Sequence, residues 1–100
     1  MSKLTNQEVV ELFRGVIRGE VAVSLANPMD KWNAVYAGNV GFLFGDWFVV
    51  FFNDADELDY TDRVVDPSSD QWDFGDSDDP LDMLTDAERG RLEQVLKGAE

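Results

Sequence analysis

Residues 40–65 read VGFLFGDWFVVFFNDADELDYTDRVV, and the fold turns on this stretch. Gly45-Asp46 separates two apolar runs as a two-residue hairpin loop, with glycine supplying the positive φ such a loop needs. Val49, Val50, Phe51 and Phe52 form a nearly unbroken apolar run, expected of a central strand covered on both faces or tightly on one. The run then meets Asn53, Asp54, Asp56, Glu57, Asp59 and Asp62, with Arg63 the one base nearby. Asn53 and Asp54 form Asx turns readily and can end the strand. A further strand is expected from about Leu58 to Val65, ending before Pro67, with Leu58 and Tyr60 in the core.

On the N-terminal side, Thr5-Asn6-Gln7-Glu8 reads as a capping box, with Leu4 and Val9 placed as a hydrophobic staple. Val9, Leu12, Phe13, Val16 and Ile17 follow the spacing of one helical face, so a helix is predicted over about residues 6–18, stopped by Gly19. The segment EVAVSL (20–25) suits a short strand, broken by Ala26-Asn27-Pro28-Met29-Asp30. On the C-terminal side, SSDQWDFGDSDD (68–79) reads as a polar loop carrying two aromatics, within an acidic loop over about 66–79. Asp79-Pro80 starts a short helical turn. Thr85-Asp86-Ala87-Glu88 is a second capping box, and Leu92, Val95 and Leu96 form a thin apolar stripe. The expected architecture is a single α+β domain over residues 1–100. It has a three- to four-stranded antiparallel sheet and a helix at each end.

Composition excludes several chemistries. The chain has neither cysteine nor histidine, which removes disulfides, thiolate or imidazole metal ligands and the usual catalytic bases and nucleophile pairs. Its net charge is −13, and between Asn53 and Asp82 stand 12 of the 21 acids but one of the eight bases. That distribution disfavours nucleic acid and anionic membranes, whose phosphates need Lys and Arg. No basic leader and no apolar run of about 18 residues stands out, so a soluble, cytoplasmic protein is expected.

The chain also resembles a family of short, uncharacterised bacterial proteins. The residues that carry the resemblance are Leu4-Thr5 with Glu8-Val9, then Trp32, Val35-Tyr36, Gly38, Val40, Phe42 and Trp47. They continue through Phe52-Asn53-Asp54 and Glu57-Leu58-Asp59-Tyr60 to Asp79-Pro80 and Leu92-Glu93. The likeness spans nearly the whole chain and implies one domain. Relatives often carry a cysteine pair after the Glu57–Tyr60 block, and this chain has none there. The resemblance implies no activity.

Three chemical readings compete for the acidic residues. A hard cation could use Asp54, Asp56, Glu57 and Asp59, but an EF-hand loop starting at Asp54 would need glycine where Asp59 stands. Paired carboxylates beside tryptophans could serve a glycosidase-like site, but 12 acids in 30 residues make such pairs unavoidable. The adopted reading is a non-enzymatic module, without metal or cofactor, that docks on a basic protein. Asp54, Asp56, Glu57, Asp59, Asp70, Trp72, Asp73, Phe74 and Asp76 are the expected contact residues. An inhibitor of a nuclease or nucleic-acid-binding complex is one form of it. A housekeeping interaction module and a weak divalent-cation binder are the alternatives. Trp72 and Phe74 are either exposed anchors or a plug folded over the sheet.

Overall fold

Thr5 begins the first helix as its sequence requires: its hydroxyl accepts from the Glu8 amide at 3.2 Å, and the Glu8 carboxylate accepts from the Thr5 amide at 3.1 Å. The computed structural model describes residues 3–34, 36–75 and 78–99. They form α1 (Asn6–Ile17), β1 (Val23–Leu25), a 3-10 turn (Trp32–Ala34), β2 (Ala37–Phe44), β3 (Trp47–Asp54) and β4 (Glu57–Val65). After these come β5 (Gln71–Asp73), a second 3-10 turn (Pro80–Met83) and α2 (Asp86–Gly98). Gly19, at φ 78°, ends α1, with the amides of Gly19 and Glu20 returning to the carbonyls of Val16 and Gly15.

The five strands pair in sequence order as one antiparallel meander. The expected α+β class and the two terminal helices are present, but the sheet has five strands where three or four were expected. The additional strand is β5. It lies inside the stretch read as an acidic loop, pairs Arg63–Val65 of β4, and is flanked on its other edge by Lys3 and Leu4. Three residues are too short for periodicity to announce a strand. Gly45, at φ 59°, turns β2 into β3 with Phe44 opposite Trp47, as the sequence predicts.

Both helices pack on one side of the sheet. Val40, Phe42 and Phe44 of β2 and Val49 and Phe51 of β3 point to that side and are buried with Val9, Leu12, Phe13 and Val16 of α1. Phe13 meets Phe51 at 5.4 Å between ring centroids and Phe44 edge-on at 6.1 Å, within the range where aromatic pairs attract. Val10 lies outside the expected stripe yet is buried, because α1 also packs against α2 and the second 3-10 turn. Arg14 of α1 reaches Glu88 of α2 at 3.1 Å and the Met83 carbonyl at 3.3 Å.

Strand β4 departs from regular alternation. Its register against β3 slips at two places, leaving Asp59 and Asp62 without partners across the ladder. Leu58, Thr61 and Val64 therefore face the core at a spacing of three, and Tyr60 turns to the other side. This corrects the expected core position of Tyr60: without the bulge at Asp59 it would share a face with Leu58. The bulged stretch extends beyond β5, and side chains complete its hydrogen bonding. The Leu58 amide donates to Glu93 at 2.7 Å, and the Thr61 amide to Asp79 at 3.0 Å. Arg89 donates to the carbonyls of Leu58 and Asp59 at 3.1 and 2.8 Å.

Two predictions arise from this packing. The Thr61 hydroxyl is buried and, among the described residues, without a hydrogen-bond partner. Thr61→Val keeps the shape and removes the desolvated hydroxyl, so it should raise unfolding stability by about 1 kcal/mol. A fall in the urea midpoint would show that the hydroxyl is satisfied after all. The Glu88 carboxyl is held below its usual pKa, first by the Thr85 amide and then by Arg14. A lowered folded-state pKa stabilises above the ordinary carboxylate range, and that contribution disappears as pH falls through the lowered value. The parent should thus exceed Glu88→Gln in stability at neutral pH, with the gap closing in acid. A gap that is constant with pH would remove the assigned cause.

Candidate functional site on the open face of the sheet

Alternation along β3 puts Phe48, Val50 and Phe52 on the face away from the helices, beside Leu43 of β2 and Val65 of β4. A strand covered on one side needs apolar residues only at alternate positions, so the apolar run 47–52 carries more than the core uses. Phe48 and Leu43 are 36% and 39% exposed. Phe48 lies over Gly41, where an added Cβ would come within 3.1 Å of its ring. That glycine lets the aromatic lie flat on the sheet.

Towards the β3–β4 turn the same face becomes aromatic and then acidic. Phe52 and Tyr60 stack at 5.0 Å with their planes 13° apart, and Phe74 closes on Tyr60 at 4.6 Å. The Phe74 amide donates to the Asp62 carbonyl at 2.9 Å, and the side chain is 59% exposed. The next outward pair beyond Phe52 and Tyr60 is Asp54 opposite Glu57, both exposed. Two like charges facing each other across a ladder are unfavourable in the free protein. The loop between them, Ala55-Asp56, takes φ 50° and 73°, left-handed values that usually call for Asn or Gly. It is held there from behind: the Asp56 amide donates to the buried Asn53 side chain at 2.9 Å, and its carbonyl accepts from the Trp32 indole at 3.4 Å. Asn53 in turn donates to the Trp32 carbonyl at 2.9 Å.

The expected contact residues are divided by the fold. Asp54, Glu57, Asp73 and Phe74 lie on or beside the open face, Asp54 and Glu57 at the β3–β4 turn and Asp73 opposite Arg63. Asp59 is exposed at a bulge. Asp56 leans towards α2, 3.7 Å from Lys97. Asp70 is half-buried in the turn between β4 and β5, where its amide donates to Asp66 at 2.8 Å. Asp73 accepts from Gln71 at 2.8 Å and pairs with Arg63 at 3.3 Å. Asp76 lies outside the described residues.

Trp72 must be corrected as a contact residue. It is 1% exposed, faces the core opposite Val64, and donates to the Asn6 side chain at 2.9 Å. It is the plug of the two readings offered for it, and Phe74 is the exposed ring. Phe48, Val50, Phe52 and Tyr60 are site residues the sequence reading left out. The surplus length of the apolar run was the signal available for the first three. Among the described residues, no three carboxylates converge as a metal site, and no helix is long and apolar enough to cross a membrane.

Charge is divided between the layers. Arg14, Arg18, Arg89, Arg91 and Lys97 lie on the helices or at their ends, whereas Arg63 is the one base of β2–β5, and Asp73 pairs with it. The fold and this face define a two-layer α+β protein: a five-stranded antiparallel meander with helices on one side and an acid-rimmed aromatic surface on the other. The chain belongs to the family "Domain of unknown function (DUF7693)", which it matches over residues 3–98. No curated protein and no solved structure matches it.

The two loop aromatics can be separated by experiment. Trp72→Ala should cost about 3–5 kcal/mol of stability, as for a large buried side chain. Phe74→Ala should stay within about 1 kcal/mol, since most of its ring is in water. Urea unfolding of both variants decides it, and equal losses would mean that Phe74 also supports the core.

Proposed function

We propose that this protein is a small acidic binding module of the bacterial cytoplasm, without catalysis of its own, that docks on a basic protein surface. The observation that carries the reading is the combination on one sheet face of uncovered aromatic rings with a carboxylate rim. Aromatic residues supply most of the energy of typical interface anchors, and charge complementarity supplies orientation and speed. Pairing with a second copy through this face would bring two acidic rims together, so charge favours a basic partner over self-association. Basic surfaces of this kind are those on which nucleases and nucleic-acid-binding complexes hold phosphate. Occupying such a surface would inhibit the partner by exclusion, in the manner of immunity, anti-restriction or anti-CRISPR proteins as classes. This last step is an analogy of charge and size.

The test uses a partner recovered by affinity capture, followed by measured association and dissociation rates. Asp54→Lys with Glu57→Lys should slow association severalfold and flatten its dependence on salt, because steering charges act on that rate. Glu11→Lys, on the exposed side of α1, should do little. Duplex DNA should compete with the protein for its partner. Association that ignores both the lysine substitutions and salt would end the proposal.

A further inference from the structure

We infer that the Phe52–Tyr60–Phe74 cluster, with Asp54 and Glu57 beyond it, holds an arginine side chain of the partner. The inference rests on the docking reading above and deepens it by naming what the partner inserts. Three features favour a guanidinium over other groups. Phe74 presents a largely exposed ring at the end of the Phe52–Tyr60 stack, and a planar guanidinium stacks on such a face better than a compact ammonium does. The Asp54–Glu57 pair stands one outward position farther along the two strands, about 7 Å by the rise of two residues, within reach of one extended side chain. A guanidinium can donate to two carboxylate oxygens at once.

The surroundings agree with a cation from outside. Asp54 and Glu57 repel each other as they stand, and an incoming positive charge would relieve that repulsion. Among the described bases, Lys97 pairs with Asp56 and Arg63 with Asp73. Arg89 is committed to Asp82 and to the carbonyls of β4. The Ala55-Asp56 turn that carries the carboxylate pair is fixed by Asn53, Trp32 and Lys97, so the pair is presented by a braced hairpin end. A face held ready in this way loses little freedom when a partner arrives.

The probes are octa-arginine and octa-lysine peptides, titrated against the whole chain by calorimetry at low salt, with chemical-shift mapping of the contact. The parent should bind the arginine peptide about 5- to 30-fold more tightly, the difference that cation–π stacking provides. Shifts should concentrate at Phe52, Tyr60 and Phe74. Phe74→Ala should bring the ratio towards one while lysine binding persists. Asp54→Asn with Glu57→Gln should weaken both peptides. Equal binding of the two peptides by the parent, or a preference that survives Phe74→Ala, overturns the arginine site and leaves charge-driven docking standing. Absence of binding by either peptide removes the docking reading as well. If sedimentation finds a dimer that Phe52→Lys dissociates, the face belongs to a second copy and the inference falls.

Discussion

The interaction on which the structure depends is the hydrogen bonding of the bulged half of β4. A strand at this position needs a neighbour on each side, yet β5 covers only Arg63–Val65. The backbone groups of residues 58–61 would otherwise be left at an edge beside the core, and unpaired groups there cost about as much as lost hydrogen bonds. Glu93, Asp79 and Arg89 take the place of the missing strand. Asp79 also caps the second 3-10 turn by accepting from the Leu81 amide, so one carboxylate joins β4 to the approach to α2. The helical layer is thus attached to the sheet by directed polar bonds as well as by aromatic packing.

This arrangement accounts for part of the acidity. Asp66 organises the turn between β4 and β5 by accepting from the amides of Ser68 and Asp70. Asp79 and Glu93 complete the strand edge, Asp73 fixes Gln71 and Arg63, and Asp56 meets Lys97. Asp54 and Glu57 are among those left without such a role, and they face each other at a hairpin end beside an aromatic cluster. Structure explains the first group and not the second, and a function is most plainly sought in what structure leaves over.

Local rules were legible wherever the chemistry is local. Both capping boxes, the Gly19 stop and the Gly45-Asp46 hairpin depend on residues within a few positions of one another, and each forms as read. Tyr60 and Trp72 were harder because their side is set by long-range pairing. A single unpaired residue reverses the face of everything after it. The bulges at Asp59 and Asp62 leave no mark in composition, since neither is glycine. The charge of the candidate site and the exposed Phe74 were visible in the sequence, but its aromatic centre depended on knowing which face of β3 the helices leave uncovered.

The sequence by itself determined the helix ends, the order of the two helices and of β1–β4, the apolar content and the acidic bias, because each is a property of neighbouring residues or of composition. Tertiary structure alone decided which carboxylates bond to backbone and which stay free, and on which side Tyr60, Trp72 and Phe74 come to lie. Those outcomes depend on register between strands and on the layer that covers one face. In a sheet with a two-residue side-chain period, one slipped residue exchanges core for surface.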